Sequence, residues 1–124
     1  MKVKNISEWR AIEIAKVYLL GSDLIELRPA NDNWFDFVAY GKRNPMKFFS
    51  VAVVATKYSP AGIKNNLHKK RSEFTMLQPR VLVLYINYET EKGYYETMQR
   101  SLNNPIIPIE MEALKRSITS LLRY

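Results

Sequence analysis

Apolar residues recur along this chain with two periods. Between residues 8 and 20, Trp9, Ile12, Ala15 and Leu19 return every three or four positions, which predicts a helix with one apolar stripe. Ser7 is the candidate N-cap, with Glu8 in the first turn, and Gly21-Ser22-Asp23 ends the helix. The period then shortens. Leu24 to Arg28 reads as a short strand closed by Pro29, and residues 34–41 read as a second strand after a turn from Ala30 to Asn33. Beyond a turn from Gly41 to Pro45, residues 48–56 are almost all apolar or small. That predicts an interior strand covered on both faces.

Helical spacing returns after Ser59-Pro60. Ile63, Leu67, Phe74 and Leu77 form the stripe of a predicted helix over 61–77, stopped by Pro79. Arg80 to Tyr88 is a strongly apolar strand, Glu91-Lys92-Gly93 a hairpin turn, and Tyr94 to Met98 its partner strand. Asn103 to Pro108 reads as a loop with two prolines. Residues 110–123 form a last helix with Met111, Leu114, Ile118 and Leu121 as its stripe. The order α-β-β-β-α-β-β-α argues an α/β or α+β chain built on a mixed sheet, with no repeats or linkers.

A length of 124 residues fits one domain spanning 1–124, large enough for a modest core. There is no cysteine, so disulfides and thiolate metal sites are excluded. The expected compartment is the cytoplasm: no apolar run reaches the roughly 18 residues of a membrane span, and MKVKNISEWRA has no apolar signal segment. No Gly-rich phosphate loop and no Cys/His metal spacing is present, and the single histidine, His68, lacks a sequence-level catalytic partner.

Several short features taken together resemble the restriction-endonuclease-like, PD-(D/E)XK superfamily, in particular its small Holliday-junction-resolvase-like and intron-endonuclease-like members. They are Glu13 in the first helix, LIELRP at 24–29, Asp32, the pair Phe35-Asp36, and Val51-Ala52-Val53-Val54 in the third strand. The likeness covers about residues 8–98. It implies an αβββαβ core with a mixed sheet flanked by helices. It also implies a divalent-cation site built from an Asp on the second strand and an (E/Q)-x-K on the third. Such a site needs several oxygen ligands for a hard cation, plus a lysine on the same strand face to offset phosphate charge. Asp36 matches the Asp. Ala52 stands at the Glu/Gln position and Val54 at the Lys position, and neither can ligate a metal or carry charge. Asp36 and Glu13 therefore read as vestigial catalytic residues, with no metal site and no cofactor expected. Retained Mg²⁺-dependent cleavage would require migrated residues: Glu13 from the helix, Asp32, or Lys57 through a strand bulge.

The net charge of +7 points to a polyanion partner. Lys64, His68, Lys69, Lys70 and Arg71 cluster on the predicted 61–77 helix, while Lys42, Arg43 and Lys47 lie in the hairpin before the third strand. By the resemblance, that hairpin borders the DNA cleft. Tyr58, Tyr85, Tyr88, Tyr94 and Tyr95 are stacking candidates or half-buried strand residues. Three functional classes stay open: a non-catalytic nucleic-acid binder or non-catalytic subunit of mobile-element or phage-defence machinery; an active nuclease with a migrated site; and a protein-interaction module, such as a homodimer that buries strand or C-terminal helix surface.

Overall fold

In the computed structural model, residues 4–32, 35–57, 80–99, 102–103 and 106–123 are described. They form helix α1 (Ile6–Gly21), strands β1 (Ile25–Pro29), β2 (Phe37–Gly41), β3 (Phe48–Thr56), β4 (Arg80–Asn87) and β5 (Gly93–Gln99), two short strands β6 (Leu102–Asn103) and β7 (Ile107–Pro108), and helix α2 (Met111–Leu122). The expected helix over 61–77 lies outside the described residues.

The strands make one mixed sheet in the order β1-β2-β3-β4-β5, with β6 and β7 both pairing with β5. Among the described strands only β3 and β4 run parallel, in the register Ala52 opposite Val83 and Val54 opposite Tyr85. Parallel neighbours need a crossover of a dozen or more residues, and the 57–79 interval is long enough to supply one. β3 is interior, between antiparallel β2 and parallel β4, as its apolar run predicts.

The alternation of strand side chains divides the core into two clusters. On one face Phe37, Ala39, Phe49, Val51, Leu82, Leu84, Ile86 and Tyr95 pack under both helices, with Ala11, Ile12, Ala15 and Leu19 from α1 and Leu114, Ile118 and Leu121 from α2. On the other face Phe35, Ala52, Val81, Val83, Tyr85 and Met98 form a second buried cluster. Tyr95 anchors β5 to α2 through a 2.9 Å hydrogen bond between its hydroxyl and that of Ser117.

Four details depart from the sequence expectation. The cap of α1 is Asn5, not Ser7: the Asn5 side chain accepts from the Glu8 amide at 2.9 Å, so the helix begins at Ile6. Trp9 is half exposed and does not belong to the buried stripe, where Ala11 stands instead. The expected loop from Asn103 to Pro108 begins on the last residue of β6 and ends in β7, because the outer edge of β5 offers both ladder partners. Finally, the residue with positive φ in the β4–β5 hairpin is Glu91, at 64°. The Asn87 side chain organises that turn, accepting from the Glu89 and Thr90 amides. Gly93 instead opens β5 where a Cβ would lie 2.5 Å from Ile109 Cδ1 and 3.0 Å from Ile86 Cδ1.

Candidate functional site

Asp36 lies just before β2, and its backbone is held from both sides: its amide donates to Val51 O at 2.9 Å and its carbonyl accepts from Ala30 N at 3.1 Å. Val51 is also the Cα partner of Phe37. Two residues therefore address one, the arrangement of a β-bulge. The bulge accounts for a break in alternation, since Phe35 and Phe37 are two residues apart yet belong to opposite core clusters.

The same distortion turns the Asp36 side chain along the sheet toward β3. Its Oδ2 accepts from the Val53 amide at 2.7 Å, and its Oδ1 pairs with the Lys4 ammonium at 2.6 Å. Asp36 thus grips β3 at Val51 and Val53, on either side of Ala52, the residue that the family resemblance pairs with it in a cation site. The chemistry at the carboxylate is different. One oxygen terminates the β2–β3 ladder, and the other holds an ammonium whose side chain is one-fifth exposed. The Ala52 methyl faces the second cluster in line with Val83, and Val54 packs against that cluster in line with Tyr85.

The residues weighed as a migrated site do not gather at Asp36. Glu13 is exposed on α1 and pairs with Lys16 at 3.2 Å. Asp32 accepts from the Phe35 amide at 2.8 Å, closing the turn before the bulge. Lys57 lies over the Tyr88 ring and 3.6 Å from Glu89. Hydrogen bonding to Tyr88, then Glu89, pushes its pKa above 10.5. Among the described residues, no group of three or more His, Cys, Asp or Glu side chains is placed to hold a metal ion.

The cations of the β2–β3 hairpin divide into engaged and open groups. Lys42 donates to Asp23 at 2.5 Å. That contact, with the ammonium's charge, holds the Asp23 carboxyl below its ordinary 3.8. Arg43 is exposed at the tip, and Lys47 is half-buried at the hairpin's return. Lys64, His68, Lys69, Lys70 and Arg71 lie outside the described residues.

Beside the hairpin is a feature the sequence reading missed. Tyr40 and Phe48 are cross-strand partners, and their rings stand 5.8 Å apart, tilted by 40°. They occupy the sheet face opposite α1, where Tyr40 is half-buried and Phe48 is 37% exposed. Exposed Arg28 lies on that face opposite Val38, and Glu26 lies opposite Tyr40. The signal was available, because Tyr40 alternates with buried Phe37 and Ala39 as a strand residue must when one face is wet. Tyr85 and Tyr95 are buried, and the Tyr85 hydroxyl meets the buried Glu96 carboxylate at 3.3 Å. No protein-family model matches this chain, and a search of curated proteins finds no match.

Proposed function

We propose that this protein is a restriction-endonuclease-like domain with an αβββαβ core that binds nucleic acid and does not cut it. The observation that carries this reading is the state of Asp36: an ammonium and a backbone amide take both carboxylate oxygens where a divalent cation would bind. Supporting the nuclease-like core are the position of Asp36 across from Ala52, the packing of α1 against β3 and β4, and the parallel β3–β4 pair. A hard divalent cation requires about six oxygen ligands, and a carboxylate spent on Lys4 and Val53 contributes poorly to such a shell.

Charge supports the nucleic-acid half of the reading. Lys64, Lys69, Lys70 and Arg71 against Glu73 give residues 58–79 three of the seven net positive charges. Arg28 adds a cation on the face that carries the Tyr40–Phe48 rings, and Arg43 adds one at the hairpin tip, so phosphate contact and base stacking are available beside the hairpin.

The test is fluorescence anisotropy with single-stranded and duplex oligonucleotides across a salt series. Three or four phosphate contacts predict a log–log slope of about −3 to −4 on duplex, since each contributes roughly −0.9. Replacing Lys69, Lys70 and Arg71 with Gln should flatten that slope by up to about 3 and weaken all sequences alike. Phe48→Ala should weaken single strands more than duplex, by roughly 5- to 100-fold per stacked base lost. Absence of binding at low salt rejects the reading, and Mg²⁺-dependent cleavage abolished by Asp36→Ala rejects its non-catalytic half.

A further inference from the structure

The outward face of α1 carries four large apolar side chains around Glu13. Ile6, Trp9, Val17 and Leu20 are 87%, 51%, 73% and 55% exposed, on a helix whose opposite face already carries Ala11, Ile12, Ala15 and Leu19 into the core. At 100° per residue, Ile6, Trp9, Glu13, Val17 and Leu20 fall in one stripe about 80° wide. A helix that stops at one packed face has no need of four large side chains in water on the other, and two exposed apolar pairs, Ile6 with Trp9 and Val17 with Leu20, on either side of Glu13 mark an interaction site.

The stripe is its own reverse. The spacing 6, 9, 13, 17, 20 reads 3-4-4-3, symmetric about Glu13. Reversal exchanges Ile6 with Leu20 and Trp9 with Val17, and the flanking cations exchange as well, Arg10 with Lys16. An isologous interface makes this demand, because the residue at i must suit the residue it meets on an identical surface running the other way. A foreign partner makes no such demand.

We propose that α1 pairs antiparallel with α1 of a second copy of this chain, on a two-fold axis at Glu13. Ile6 then packs on Leu20 of the other copy and Trp9 on Val17. The two Glu13 carboxylates meet near the axis, where repulsion must be offset. Arg10 and Lys16 lie three residues to either side of Glu13 on opposite flanks of the stripe, about 4.5 Å along the axis, so four cations surround two carboxylates. Both cations are placed to turn inward: Arg10 now reaches Glu91 at 3.6 Å with both side chains more than half exposed, and Lys16 already pairs with Glu13. A polar residue at the centre of an apolar seam fixes register and orientation at a cost in affinity. One 16-residue helix pair, about 24 Å long, is smaller than a standard interface, so the dimer is weak and reversible. This inference is independent of the nucleic-acid reading and uses no residue of that surface.

The chain has no cysteine, which makes the register directly testable. Helices packed 8–10 Å apart, with Cα radii of about 2.3 Å, bring facing Cα atoms to about 3.4–5.4 Å at the axis, overlapping the range a disulfide spans. Glu13→Cys should therefore cross-link to itself rapidly on mild oxidation. Val17→Cys should not, because the two copies of position 17 lie about 12 Å apart along the pair. Light scattering from low-micromolar to near-millimolar wild-type protein should show a monomer–dimer equilibrium, and Val17→Asp should remove it while circular dichroism stays unchanged. A monomer throughout with no Glu13→Cys cross-link overturns the proposal. Equal cross-linking at 13 and 17, a higher oligomer, or a monomer that instead binds anionic lipid vesicles through Trp9 also overturns it.

Discussion

Asp36 does at the residue scale what a ladder amide or carbonyl does elsewhere in the sheet. Its carboxylate satisfies Val53 N–H where β2 has run out and neutralises Lys4 in the same place. Asp36→Ala should cost about 1–3 kcal/mol, because a partly buried amide and an ammonium each lose their acceptor. Asp36→Asn, which keeps an amide oxygen for Val53, should recover part of that loss; urea denaturation of the three proteins measures it. Added Mg²⁺ should leave the melting temperature of the wild type unchanged, since a cation bound only to the native state would raise it. Asp23 and Lys42 make the exposed counterpart. The ammonium lowers the folded-state pKa of Asp23, so the pair favours folding above the ordinary carboxylate value and loses that effect as pH falls through the lowered one. Lys42→Ala should return the Asp23 titration, followed by NMR, to the ordinary range. High salt should reproduce most of that change in the wild type, because the pair is fully exposed.

Each helix at the element scale is tied to the sheet by a few residues. α2 contributes fully buried Leu114, Ile118 and Leu121. Arg80 at the start of β4 donates to Leu121 O at 3.1 Å, giving a partner to a carbonyl that the helix end leaves open. Ile118→Ala should cost roughly 2–5 kcal/mol in chemical denaturation, the range for emptying a packed aliphatic site. Tyr95→Phe, which breaks only the link to Ser117, should cost about 1 kcal/mol. α1 differs from α2 in carrying large apolar side chains on both sides. Its inner face was legible as period, but its outer face was misread: Trp9 has the spacing of a core residue and the exposure of a surface one. Period alone cannot assign an apolar residue to one of two apolar stripes.

Two surfaces organise the whole molecule, and they share no element face. The two described helices cover one face of the sheet. The β1–β2 half of the other face carries half-buried Tyr40 and exposed Phe48 and Arg28, beside the hairpin that carries Arg43 and Lys47. Pairing through α1 leaves that face free, so a dimer would carry two copies of it. Linking two sites raises apparent affinity without new contacts when one ligand spans both. Val17→Asp should accordingly weaken binding to long oligonucleotides more than to short ones in the same anisotropy assay. Equal loss on both lengths would separate dimerisation from nucleic-acid binding. No described helix is long and apolar enough to cross a membrane.

The order of the two described helices and of β1 to β5, and the interior place of β3, were set by local pattern. Period-two and period-3.6 burial are short-range properties of the chain, and a nine-residue apolar strand has few places to go but the middle of a sheet. The matching of Asp36 with Ala52 came from the family resemblance, not from local pattern. Tertiary structure decided the rest. Lys4 is 32 residues from Asp36 in sequence and no local rule links them, so the occupant of the carboxylate was legible only in space. The bulge at Asp36 depends on which backbone groups of β3 are within reach, and the pairing of β6 and β7 depends on the edge of β5 lying open. Exposure of Ile6, Trp9, Val17 and Leu20 likewise depends on which side of α1 the sheet occupies, and sequence spacing leaves that choice open because both sides carry apolar residues.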